Sequence, residues 1–90
     1  MNNLMNFGEA IKALKEGKKV ARQGWNGKGM FLYYVSEGQY PVKMDVAKEI
    51  ADAKGMVSYG AYAALKSANG QVYPWNASQA DMFAEDWMIV

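Results

Sequence analysis

Ninety residues with a formal charge of +1 make one small domain, which buries only roughly 60–65% of the surface its unfolded chain exposes. The absence of cysteine and histidine excludes disulfides, thiolate chemistry, cysteine or imidazole metal sites and serine triads of the usual type. Ten basic against nine acidic residues provide no broad field for duplex nucleic acid, and the chemistry left is that of carboxylates, hydroxyls, amides, lysines and a single arginine. An apolar share of 51%, with seven methionines and three tryptophans, is more than one small core hides, so association through apolar faces is expected. No stretch approaches the roughly 18 apolar residues of a membrane span, and the first residues lack a basic-then-apolar leader. A soluble, cytoplasmic protein is the expectation.

Asn6 followed three residues later by Glu9 predicts a capping box, and Phe7, Ile11 and Leu14 fall at i, i+4 and i+7 on one face. Residues 6–16 are therefore expected to be helical, with Lys12, Lys15 and Glu16 off that face and Gly17 as the left-handed terminator. Residues 18–23 read as a short strand leading into Gly24-Trp25-Asn26-Gly27-Lys28-Gly29, a turn that carries one large aromatic. Two readings of this turn are open. It is a ligand loop with Trp25 as a stacking wall, or a β-hairpin whose tryptophan covers the sheet edge. Residues 30–35 are apolar without alternation, which predicts a central strand covered on both faces, one by the core and one by a helix or another subunit.

After a turn at Glu37-Gly38 and a bend at Pro41, Asp45 is expected to cap a helix over residues 45–54. Val46, Ala47, Ile50 and Ala51 form its apolar side and Gly55 its stop. Residues 56–60 are ambiguous. Asn69-Gly70 ahead of Gln71-Val72-Tyr73 is a two-residue hairpin signal, so residues 61–67 are read as its first strand despite their alanines. Pro74 donates nothing to a ladder and ends the second strand, and Trp75 leaves the sheet on a loop. Ser78 and Asp81 predict a second capping box and a helix of about two turns, with Met82 and Phe83 on its apolar side. Residues 86–90 return as a last strand whose Trp87 belongs to the core. The expected architecture is a single α+β domain over residues 1–90, a small antiparallel sheet with two or three helices packed on it.

Three blocks carry a resemblance: residues 6–17, residues 20–32, and Pro74-Trp75 through Ser78-Gln79-Ala80-Asp81 to Ala84-Glu85-Asp86-Trp87. Together they resemble the phage Thoeris anti-defence sponge proteins of the first type. The resemblance implies a protein without cofactor or catalysis that binds glycocyclic ADP-ribose, the alarm signal of the bacterial Thoeris system, and sequesters it uncleaved. It also implies dimers that can build hexamers, with ligand pockets where subunits meet, in the cytoplasm of the infected or prophage-carrying host. Some members bind the cyclic oligonucleotides of another defence system. The segment between residues 37 and 60 is the least recognisable part.

A ligand with an adenine, two riboses and a pyrophosphate calls for aromatic faces, amides or acids, and a cation. Trp25 and Trp75 are candidate stacking walls beside Gly24, with Tyr34 and Tyr62 as runners-up. Arg22 is the candidate for the pyrophosphate, against the alternative of a surface ion pair. Asn76, Ser78, Gln79 and Asp81 are candidates for ribose hydroxyls or the adenine edge, although Ser78 and Asp81 are most economically explained as caps. Two other classes stay in view. A small hydrolase would use the acidic cluster Asp81, Glu85 and Asp86, and a single-stranded nucleic-acid binder would use sheet aromatics and the lysines 12, 15, 18 and 19.

Overall fold

The computed structural model describes residues 3–25 and 29–90. Helix α1 (Phe7–Lys15) opens with the expected box: Glu9 N–H donates to Asn6 Oδ1 at 2.9 Å, and Asn6 N–H to Glu9 Oε1 at 2.9 Å. Gly17, at φ +88°, ends it in the left-handed region that an L side chain avoids. Ala10, Ala13 and Leu14 are its buried residues, and Phe7 and Ile11 flank them half-buried. The small alanines let the helix approach the sheet closely.

That sheet has five antiparallel strands in the order β6 (Val72–Pro74), β5 (Tyr62–Lys66), β2 (Phe31–Val35), β1 (Val20–Arg22) and β7 (Trp87–Ile89). Strand β2 is the central one, as its apolar run predicts. Leu32 pairs with Val20 on one side and Leu65 on the other, which places these three side chains on one face. There Val20, Leu32 and Trp87 are completely buried against α1. The opposite face differs from the expectation of full cover. It carries Phe31, Tyr33 and Val35 of β2 with Val72 and Met88, all half-buried or exposed, and no helix among the described residues lies across it. The β5–β6 hairpin forms as expected, but its turn spans residues 67–70, with Gly70 N–H donating to the Ser67 carbonyl at 3.0 Å and Gly70 alone at positive φ. A two-residue type I′ turn needs positive φ at both central positions, and Asn69 does not adopt it.

Strands β3 (Gly38–Pro41) and β4 (Met56–Tyr59) pair with each other and form a separate two-stranded ribbon, so that of the ambiguous residues 56–60 the first four are strand. The ribbon extends the molecule to 52 × 26 × 22 Å. Between its strands lies a 3-10 helix (Asp45–Ile50), where a longer α-helix over residues 45–54 was predicted. Asp45 is its first residue rather than its cap, and its carboxylate pairs with Lys48 at 3.0 Å. The apolar stripe that predicted the longer helix is exposed, Val46 at 80% and Ile50 at 70%. Without a surface to pack on, a short helix does not repay its nucleation. Gly55 closes a turn from Asp52 instead of stopping a helix. Helix α2 (Gln79–Phe83) is only five residues long, and Phe83 is 80% exposed rather than packed. No helix among the described residues is long and apolar enough to cross a membrane.

Candidate functional site

Trp87 is the floor on which the candidate site stands. Strand β7 holds it between β1 and the chain entering α1, where Met5 and Trp87 exchange both backbone hydrogen bonds at 2.7 and 3.1 Å. Its indole N–H donates to the Asp81 carbonyl at 3.0 Å, so its one polar atom is satisfied in a fully buried ring. Trp25 and Trp75, from loops fifty residues apart in sequence, both stand edge-on against it, at 5.5 Å and 77° and at 5.9 Å and 84°. Phe7 completes the group at 5.7 Å from Trp87 and 6.2 Å from Trp75. The two outer indoles are half-buried, so each rests on the core and keeps part of its surface toward solvent.

Arg22 lies beside this cluster, and its fork is engaged. Nε donates to Asp86 Oδ1 at 2.9 Å and Nη1 to Asp81 Oδ1 at 3.0 Å. Asp86 Oδ2 also accepts the Gly24 N–H at 3.1 Å. Asp81 completes the α2 box, accepting from Ser78 N–H at 3.0 Å while its own N–H donates to Ser78 Oγ at 3.1 Å. Two carboxylates against one guanidinium leave the node formally negative, which gives a pyrophosphate no net attraction to Arg22 while the node is closed. Arg22 is raised above its usual range by the hydrogen bonds it donates, to Asp86 first and to Asp81 second. The Asp86 carboxyl is lowered, chiefly by Arg22 and against the cost of burial, with help from the Gly24 amide. For Asp81 burial is the largest influence and pushes it up, but the Ser78 amide, Arg22 and the Ser78 hydroxyl together outweigh it and hold it low.

Carboxyls with lowered pKa stabilise the fold when ionised, so this contribution is complete above about pH 5 and lost as the pH falls through about 4 and below. The gap in melting temperature between the parent and Asp86→Asn is therefore expected to be widest near neutral pH and to shrink toward about pH 3. A gap that stays constant across that range would show that the ionised node contributes nothing.

Of the residues expected in the site, Arg22, Gly24, Trp25, Trp75, Ser78 and Asp81 are brought together by the cluster and its node. Asn76 and Gln79 are exposed alongside. Asn26, Gly27 and Lys28 of the glycine-rich turn lie outside the described residues. Tyr34 is exposed on the α1 side of β2. Tyr62 instead lines a cavity of about 610 Å³ with Val35, Tyr40, Lys43 and Tyr59, where the ribbon joins the main sheet. Sequence reasoning missed that cavity and the part of Asp86. No group of acidic side chains that could hold a metal occurs among the described residues.

The cluster and its node fall in the stretches that resemble a known family, and comparison with known proteins decides the point. A family model described as "Thoeris anti-defense 2-like domain" matches residues 5–90. The chain belongs to that family. It is also 38% identical over 90 residues to "Thoeris anti-defense 2" of Bacillus phage SP01, covering 100% of this chain and 99% of that protein. Both names carry the number 2, whereas the resemblance of the sequence blocks is to the first type. The Thoeris anti-defence 2-like match includes the ribbon, the part least recognisable in the sequence.

Proposed function

We propose that this member of the Thoeris anti-defence 2-like family blocks Thoeris immunity by holding glycocyclic ADP-ribose, reversibly and uncleaved. The observation that carries the reading is the pair Trp25 and Trp75, two half-buried indoles braced on one buried indole and available to stack a flat base. Asn76 and Gln79 supply amides at its margin, and the pyrophosphate contacts a lysine or opens the Arg22 node. A hydrolytic reading is disfavoured by the node itself. A glycosidase needs one carboxylic acid with a raised pKa, and here Arg22 separates two carboxyls that are both held low. Ligand recovered by heating the complex is expected to be chromatographically unchanged. ADP-ribose or another linear product would move the reading to an enzyme.

The open face of the main sheet supports homo-oligomerisation as part of this function. A second copy is the partner that covers Phe31, Tyr33 and Val35, and a stable interface of ordinary size needs about 800 Å² from each chain. The protein is expected to sediment as a dimer or larger, and a 10.0 kDa monomer at micromolar concentration would contradict this. The same face holds the observation that favours single-stranded nucleic-acid binding: Phe31 lies under Lys19 at 4.8 Å and Lys66 at 5.9 Å. Retention of a short oligonucleotide in preference to glycocyclic ADP-ribose would select that reading.

A further inference from the structure

The hydrogen bonds of Asp86 converge on the residues that carry Trp25. Its Oδ1 accepts from Arg22 Nε, its Oδ2 from the Gly24 N–H, and its backbone carbonyl from the Gln23 N–H at 2.9 Å. Three consecutive residues are thereby tied to the one that precedes Trp87. Trp25 follows at once, its N–H donating to the Arg22 carbonyl at 3.2 Å and its ring meeting Trp87 edge-on. Resting on the binding reading above, we infer that Asp86 is a positioning residue that fixes the Trp25 indole against Trp87, and so sets the spacing of the two ligand-stacking faces without itself touching the ligand.

The chemistry of the junction requires a carboxylate. Two donors, one a guanidinium and one a backbone amide, need two acceptor oxygens on one short side chain. Asparagine converts one of those oxygens to an NH₂ that faces a donor, so one of the two links must break. Glycine at position 24 belongs to the same arrangement, because a Cβ there would stand 3.3 Å from Asp86 Oδ2. Gly24→Ala therefore presses on the amide link while leaving Arg22, Asp81 and Asp86 in place. Arg22 extends the tie to Asp81, whose carbonyl receives the Trp87 indole N–H. The node is continuous from the Trp25 turn to the floor of the site.

The test compares Asp86→Asn and Gly24→Ala with the parent by near-ultraviolet circular dichroism, whose aromatic bands report the packing of the tryptophans, and by calorimetric titration with glycocyclic ADP-ribose. Both are run at a temperature where the far-ultraviolet spectra of the three proteins coincide. Asp86→Asn is expected to show reduced aromatic bands and to bind about tenfold or more weakly, the scale at which loss of supporting contacts shows in a site, with Gly24→Ala moving in the same direction by less. Parent-like bands and affinity in both variants overturn the proposal. So does an Asp86→Asn that melts earlier yet binds like the parent below its transition, because Asp86 then only stabilises. If Asp86→Asn fails to fold, Gly24→Ala decides by the same two readouts. A parent that does not bind the ligand sinks the sequestration reading, and the aromatic bands alone then decide whether Asp86 orders Trp25.

Discussion

Trp87→Ala is expected to cost about 3–5 kcal/mol, because it removes the largest fully buried side chain and leaves a void that three aromatic neighbours cannot fill. A domain of this size has a total stability of roughly 5–13 kcal/mol, so the loss takes a large part of it. The melting temperature should fall by roughly 15–30 °C. Trp87→Phe should lie between the two, since it keeps much of the volume but leaves the Asp81 carbonyl without its indole donor, a loss of about 1–3 kcal/mol. Thermal denaturation of the three proteins checks this. A Trp87→Ala protein that melts with the parent would mean that the aromatic cluster is not the core of the fold.

Trp75→Ala and Trp25→Ala are expected to act in the opposite sense, with a large effect on binding and a smaller one on stability. Both rings are half-buried, so each truncation removes an edge-on contact of about 0.5–1.5 kcal/mol and part of a ring's burial, not a whole core residue. A sequestering protein must hold its signal near nanomolar concentration, about −12 kcal/mol, and such affinity comes from a few well-packed contacts. Loss of one base stack costs about 1–3 kcal/mol, which weakens binding by roughly fivefold to 150-fold. Titration calorimetry of each variant at a temperature well below its melting point measures the effect. Unchanged affinity in both variants would move the site away from the tryptophans, and the cavity beside Tyr40, Tyr59 and Tyr62 would be the next place to look.

How much of this was legible in the sequence depended on how local the determining contacts are. Helix α1 announces itself through a box whose two halves are three residues apart, and the β5–β6 hairpin through a turn that closes within residues 67–70. The burial of Trp87 followed from its place in an apolar final strand. The two partners of Arg22 are another matter, since they lie 59 and 64 residues away along the chain. The only signal for Asp81 was its capping role, which is real and does not exclude the ion pair. Asp86 stood out only as a member of an acidic cluster, which names no cationic partner. The ribbon was missed because β3 contains Gly38 and Pro41, residue types depleted in strands, while Val46 and Ile50 imitate a helical stripe with nothing among the described residues to bury it. The misleading stripe has a plain cause: an apolar pattern states that a surface wants cover and does not name what covers it.

Native mass spectrometry of the protein with and without glycocyclic ADP-ribose tests the central claim most directly, because one spectrum reports assembly, occupancy and the ligand's own mass. An oligomer carrying ligand of unaltered mass is the expected result. A bare chain, or one that releases a hydrolysed product, would contradict sequestration by this protein.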